Sequence, residues 1–395
     1  MSRSPVDSGL ERLAADPAPV LGGQRVGLLV HPASVDRDLR HAVELLDGTR
    51  GCHLTTLFGP QHGFRGETQD NMVEWQGFRD PASGLPVHSL YGETRRPTAA
   101  MLGDLDTLVI DLQDVGARYY TFIWTVLLAL EACAEAGKRV VVLDRPNPLG
   151  GLEREGPLLD PAYRSFVGMA PLPIRHGLTL GELARLFVRE LAIDVELEVV
   201  GMRGWRRSMW FDDTGLPWVM PSPNMPTLDT ALVYPGFCLL EGTELSEGRG
   251  TTRPFELFGA PGIDPPALVR ELAAHALPGT RFRPLWFEPT FQKHAGVPCG
   301  GAQLHVIDRD AFRPVLTAVT VLSVIRRCWP DVLRWKQPPY EYETVTLPID
   351  ILAGGPWLRE GIDAGDDPRA LLETGRPGVE AFAARVEEYL DDDDA

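Results

Sequence analysis

The sequence predicts an α/β protein: a Rossmann-like parallel-sheet N-terminal domain with a smaller C-terminal α/β domain closing over it. Two observations carry this. Short, almost continuously apolar runs rich in β-branched residues alternate with helical patterns through the first half, as expected of a parallel sheet covered on both faces. The chain also has 395 residues, more than one ordinary core sustains. Two domains follow, 1–200 and 201–395, and the patterns of the second are established by about residue 230.

RVGLLV, residues 25–30, reads as a buried strand, and LRHAVELL, 39–46, has helical spacing. HLTTLFG, 53–59, and PVHSLYG, 86–92, are further strands that end in glycine. DTLVIDLQD, 106–114, is a strand that runs into acids, and TFIWTVLLALEACAEAG, 121–137, is an apolar helix with a glycine stop. RVVVLDRPN, 139–147, is another strand, followed by a Pro- and Gly-rich connection to about Arg175. TLGELARLFVREL, 179–191, opens with Thr179 as N-cap and Glu182 three residues on, a capping box. After a second Pro- and Gly-rich stretch, Asp212 to Thr230, the second domain contributes PALVRELAAHAL, CGGAQLHVID and AFRPVLTAVTVLSVIRRC.

Composition excludes several classes. A net charge of -17 argues against binding a nucleic-acid backbone, which takes a basic face. Part of that charge lies in Glu387, Glu388 and Asp391 to Asp394, which read as a solvated end. Five cysteines, with no CxxC, suggest neither a disulfide framework nor a zinc knuckle; reduced thiols in a cytoplasm fit best. No run has the length and apolarity of a membrane span or a signal peptide, so a cytoplasmic location is expected, with no membrane partner. There is no Walker loop, no GxGxxG and no HExxH, and neither cofactor nor metal is expected.

Ligands in open parallel sheets bind at the carboxyl ends of the strands. Three of the expected strands end there in polar clusters. The first, LFGPQHGFRGE, holds Gln61 and His62, with Glu67 and Glu74 soon after. The second holds Asp111, Gln113 and Asp114, followed by Arg118 and Tyr119; the third holds Asp144, Arg145 and Asn147. Asp114 and Asp144 serve equally well as helix caps, and Arg145 as a partner of a nearby carboxylate. A second polar stretch, Ser222 to Pro261, carries Asn224, Glu241, Glu244, Arg249, Thr251 and Arg253 among glycines and prolines. Its SEGRGTTRP segment suits a carboxylate or other anion.

The blocks LFGPQHGFRGE, DLQDVGARYYTFIWT, VLDRPNPLGG, FVGMAPLPIRHGLTLGELA, MPSPNMPTLDTALVYPG and EGTELSEGRGTTRPFELFGAP, in this order, resemble the exo-β-N-acetylmuramidases of the NamZ type. The resemblance implies a cleft between the two domains and release of N-acetylmuramic acid from the non-reducing end of peptidoglycan-derived glycans or muropeptides. A non-catalytic sugar-binding protein with the same cleft is the alternative. The resemblance also implies a catalytic glutamate just before the histidine of PQHG, where this sequence has Gln61. A carboxamide cannot give up a proton as a carboxylic acid does. The acid is therefore expected first at Glu67 and second at Glu74, with His62 and Asp111 assisting. Glu241 or Glu244 would supply the second carboxylate, about 5 to 9 Å away. Arg249 or Arg253 would clamp the lactyl carboxylate of muramic acid.

Overall fold

The computed structural model describes residues 6–390; the acidic run Asp391 to Asp394 lies outside them. Strands β1 (Arg25–Val30), β2 (His53–Gly59), β3 (Phe78–Arg79), β4 (Pro86–Ser89), β5 (Thr107–Asp111), β6 (Arg139–Leu143) and β7 (Leu197–Val200) form one sheet. Their order is β3-β4-β2-β1-β5-β6-β7. All neighbouring pairs are parallel except β3 with β4. The order runs outward from β1 through β2 to β4, then returns to the other side of β1 for β5. Loops leaving β1 and β5 therefore diverge, which opens a crevice at their carboxyl ends.

The alternation of side chains explains why these strands are apolar throughout. On β5, Leu108 and Ile110 join the core on one face and Val109 that on the other; β6 divides Val140 and Val142 from Val141 and Leu143 in the same way. The first face is covered by the helix Phe122–Ala136, whose Trp124 is fully buried. The second is covered by the helices Gly9–Ala15 and Ala42–Leu46, through Leu10, Leu13, Val43 and Leu46. The expected capping box is present on the helix Leu180–Glu190, with Thr179 and Glu182 each bonding the other's backbone N–H.

A second sheet of three antiparallel strands, β8 (Leu257–Ala260), β9 (Thr280–Phe287) and β10 (Cys299–Val306), has the order β8-β10-β9. It packs with the helices Leu228–Phe237, Pro265–Ala273 and Pro314–Cys328. The chain therefore has two α/β units, one with a mainly parallel sheet and one with an antiparallel sheet. Their cores are continuous: Trp124 and Phe187 of the first belong to the same apolar cluster as Phe237, Phe258 and Val319 of the second. Arg118 bridges them. It is fully buried, and its guanidinium donates to the carbonyls of Pro157 (2.9 Å), Leu172 (2.8 Å) and Leu352 (2.8 Å). Among the described residues no helix is long and apolar enough to cross a membrane.

Candidate active site

The chain leaves β2 through Gly59-Pro60-Gln61-His62-Gly63. His62 and Gly63 both have positive φ, 68° and 88°. Two left-handed residues in succession reverse the chain within one step, a conformation easy for glycine and uncommon for other residues. The turn brings Gln61 and His62 into the wall of a narrow cavity. His62 lies 2.9 Å from the Thr68 carbonyl through Nδ1. That contact requires the proton on Nδ1, so Nε2 is left as an acceptor. Burial takes the imidazole pKa down to about 4 despite the carbonyl's opposing effect, which makes the neutral ring the resident form at neutral pH.

The carboxyl group nearest Gln61 comes from the far end of the chain. The loop QPPYEYET places Glu341 at φ 45° and Tyr342 at φ 69°, two non-glycine residues in a sparsely occupied backbone region. Gln61 Nε2 donates to Glu341 Oε1 (3.0 Å) and Tyr91 Oη to Glu341 Oε2 (2.7 Å). Thr121 Oγ1 in turn donates to Gln61 Oε1 (2.6 Å), which fixes the orientation of the amide. Each carboxyl oxygen thus accepts one hydrogen bond and retains a position for a proton. Burial raises the Glu341 carboxyl to about 7, outweighing the two hydrogen bonds that favour its ionised form.

Glu241, on the same cavity, has the opposite environment. Its carboxylate accepts from Arg249 Nη2 (2.7 Å), Tyr340 Oη (2.8 Å) and Asn71 Nδ2 (3.1 Å). Burial would raise this carboxyl, but the charge and hydrogen bond of Arg249, with Tyr340 and Lys293, hold it below the usual carboxylate range. Arg249 Nε lies 3.4 Å from Glu247, whose other oxygen is 2.8 Å from Lys293 Nζ. Arg249 Nη1 is buried without a protein partner. Among the described residues Nη2 bonds Glu241, Nε lies within ion-pair reach of Glu247 without a hydrogen bond, and Nη1 has no partner, which leaves donors for something else in the cavity. One carboxyl keeps its proton up to about pH 7 while the other is ionised, the division of labour that acid-assisted cleavage needs.

The polar residues expected at the strand ends and in the stretch Ser222 to Pro261 separate into two layers. Gln61, His62, Tyr119, Asn224, Glu241 and Arg249 line the cavity. Tyr119 Oη donates to the Pro235 carbonyl, and Asn224 Nδ2 to the Gln69 carbonyl (2.6 Å). The others form the support beneath. Arg145 binds Asp111 through two parallel bonds, from Nε (2.5 Å) and Nη2 (2.7 Å). Gln113 donates to the carbonyls of Asp114 and Pro146. Asp114 accepts from Gly116 N and lies 3.2 Å from His176. Asp144 accepts from Thr179 Oγ1 and Gly181 N, while Asn147 bridges Leu178 and Leu149. Arg118 is the brace described above.

The acids expected at Glu67 and Glu74 are elsewhere. Both are exposed and neither lines the cavity, because the segment after His62 runs over the rim. Glu244 is also exposed, and Arg253 is half-exposed and pairs with Glu256 at 3.4 Å. Thr251 donates to the Gly248 carbonyl and shapes the loop. Glu341, Tyr91 and Tyr340 were not among the expected residues. The signal that would have found Glu341 and Tyr340 is a cluster of acid and tyrosine between prolines, without strand or helix periodicity. Among the described residues no group of three or more His, Cys, Asp or Glu side chains is placed to hold a metal ion.

Comparison with known proteins gives this geometry a family. Residues 26–229 match the profile described as exo-β-N-acetylmuramidase NamZ, N-terminal, and residues 232–390 match its C-terminal counterpart. The chain belongs to the NamZ exo-β-N-acetylmuramidase family. A curated member, the peptidoglycan β-N-acetylmuramidase NamZ of Bacillus subtilis (strain 168), is 45% identical over 385 residues, covering 98% of this chain and 91% of that one. Two crystal structures of DUF1343 family proteins from Bacteroides fragilis NCTC 9343 also align with it. One has a TM-score of 0.89 at 34% identity and covers 98% of both chains. The other has a TM-score of 0.77 at 26% identity and covers 98% of this chain and 99% of that one. The NamZ family thus accounts for both units, and the residues of the cavity come from both.

Proposed function

We infer that the chain is an exo-acting glycosidase that releases N-acetylmuramic acid from the non-reducing end of peptidoglycan-derived glycans, a cell-wall recycling activity. The observation that carries the mechanism is Glu341, a carboxyl held protonated near neutral pH in the same cavity as an ionised Glu241.

In this reading Glu341 gives its proton to the glycosidic oxygen as the C1–O bond breaks. Positive charge then develops at C1, and ionised Glu241 opposes it. Water adds to C1, and the proton it sheds restores Glu341. Gln61 takes no proton; its amide, fixed by Thr121, holds the Glu341 carboxyl in place. The unpartnered Nη1 of Arg249 is the donor for the lactyl carboxylate, and His62 Nε2 accepts from a hydroxyl or amide N–H of the bound sugar. Exo action is supported by the match to the exo-β-N-acetylmuramidase family. At about 30 Å³ the cavity has room for about two waters, so the rim segment must move to admit a sugar ring.

The doubly wound strand order, reversing between β1 and β5, supports a Rossmann-like reading of the first unit, with the site beside its crevice. Five free cysteines support a reducing compartment such as the cytoplasm.

The test is direct. Purified protein is incubated with 4-nitrophenyl N-acetylmuramide and with the disaccharide MurNAc–GlcNAc, without added metal, across a pH series. Free muramic acid is expected from both, with the rate falling above about pH 7 as Glu341 loses its proton. Binding of muramic acid without release from either substrate would sink the assignment.

A further inference from the structure

A second, larger cavity adjoins the first, and Glu341 is the residue the two share. Its volume is about 520 Å³, within the range of cavities that hold a small-molecule ligand. At the junction Tyr91, Phe166 and Tyr342 make a ring cluster, with centroids 5.6 to 6.1 Å apart. Leu128 and Met169 add half-buried apolar surface, and Tyr342 is 40% exposed. Such a platform suits the face of a sugar ring.

The arginines of this cleft differ in their engagement. Arg96 pairs with Glu135 at 2.7 Å. Arg95 lies with its guanidinium 3.8 Å from the centroid of the Tyr342 ring, and neither Arg95 nor Arg164 has an ion-pair partner among the described residues. Of the acids on the same walls, Glu343 turns its carboxylate to the backbone N–H groups of Val345 (2.7 Å) and Thr346 (3.1 Å), and Glu93 is exposed on the rim. Arg95 also reaches the Tyr342 hydroxyl, and a guanidinium with five N–H donors keeps others in its plane for a carboxylate.

The proton donor at the junction fixes where the scissile bond lies, so the departing part of the substrate extends into the open cleft. Peptidoglycan alternates a neutral amino sugar with one that carries a carboxylate. A first leaving ring on the aromatic platform would therefore be followed by a carboxylate. We propose that this cleft holds the leaving part of the substrate and that Arg95 and Arg164 bind a carboxylate carried on the second ring beyond the scissile bond. The preferred substrate is then an acidic oligosaccharide with at least two rings on the leaving side, cut in preference to a disaccharide. The proposal rests on the muramidase reading above.

The experiment compares kcat/KM for 4-nitrophenyl N-acetylmuramide with that for the trisaccharide MurNAc–GlcNAc–MurNAc in wild type, Arg95→Ala, Arg164→Ala and the double variant. Charge-assisted hydrogen bonds of this kind predict that the trisaccharide-to-nitrophenyl ratio falls about tenfold or more in the double variant. Converting the third ring's carboxyl to a neutral amide should produce the same fall in wild type. An acidic dipeptide on that amide should restore the ratio if stem peptides supply the carboxylate, and leave it low if the lactyl group does. An unchanged ratio in the double variant, or equal losses on both substrates in Arg164→Ala, a residue that takes no part in the Glu341 hydrogen bonds, would overturn the proposal. Titration calorimetry with the product GlcNAc–MurNAc needs no turnover. Weaker binding by the double variant supports the subsite even if wild type cuts neither substrate, whereas equal binding refutes it whether or not the enzyme cuts.

Discussion

Gln61 spends both atoms of its amide on neighbours, accepting from Thr121 and donating to Glu341. A side chain that cannot ionise thus becomes the holder of one that can. Replacing Glu341 by Gln keeps the shape and removes the proton, and is expected to lower kcat/KM by about 10²- to 10⁴-fold. The same variant has a second expected effect, on stability. The folded chain holds the Glu341 proton up to about pH 7, the unfolded chain only to about 4.5. Stability from this group is therefore full below the lower value and is lost as pH rises through the higher one, by roughly 3 kcal/mol. Glu341→Gln should melt above wild type at about pH 9 and gain nothing at about pH 4 by scanning calorimetry. A gain of equal size at both would show that the carboxyl is not buried in its neutral form.

Five of the seven strands of the first sheet were legible: β1 and β2 have the bounds that their apolar runs predict, β5 and β6 end where acids begin, and β4 stops at Ser89, short of the expected Gly92; the edge strands β3 and β7 were not expected. Which strand-end residues serve catalysis was not legible. Polar side chains gather at the carboxyl end of a parallel sheet both to bind ligands and to anchor the loops that do. Asp111 and Arg145 carry the same composition signal as Gln61 and His62 but spend it on each other. Glu341 was silent for another reason. Its role depends on a partner 280 positions earlier, and its own loop has no period to detect. The rim segment after His62 is held over the cavity by the side chains of Asn224, Glu241 and Gln292. Gln292 Nε2 donates to Asp70 and Asn71, Asn71 to Glu241, and Asn224 to the Gln69 carbonyl. Gln292→Ala should therefore speed amide hydrogen exchange across residues 68–76 while leaving β1 and β5 protected, as mass spectrometry would resolve. Unchanged exchange there would mean that the strap is held by its own turn.

At the scale of the molecule, the continuous core and Arg118 predict that the two units melt together. Arg118→Met removes a buried charge but leaves the carbonyls of Pro157, Leu172 and Leu352 without their donor. Unsatisfied carbonyls at about 1–3 kcal/mol each should lower stability by several kcal/mol. Wild type is expected to give one calorimetric transition and the variant a lower or divided one; an unshifted melting temperature would remove Arg118 as the brace. The layout also has a consequence in time. Translation delivers residues in order. A nascent chain therefore carries Gln61, Glu241 and Arg249 before it carries the proposed proton donor, which arrives only with residue 341.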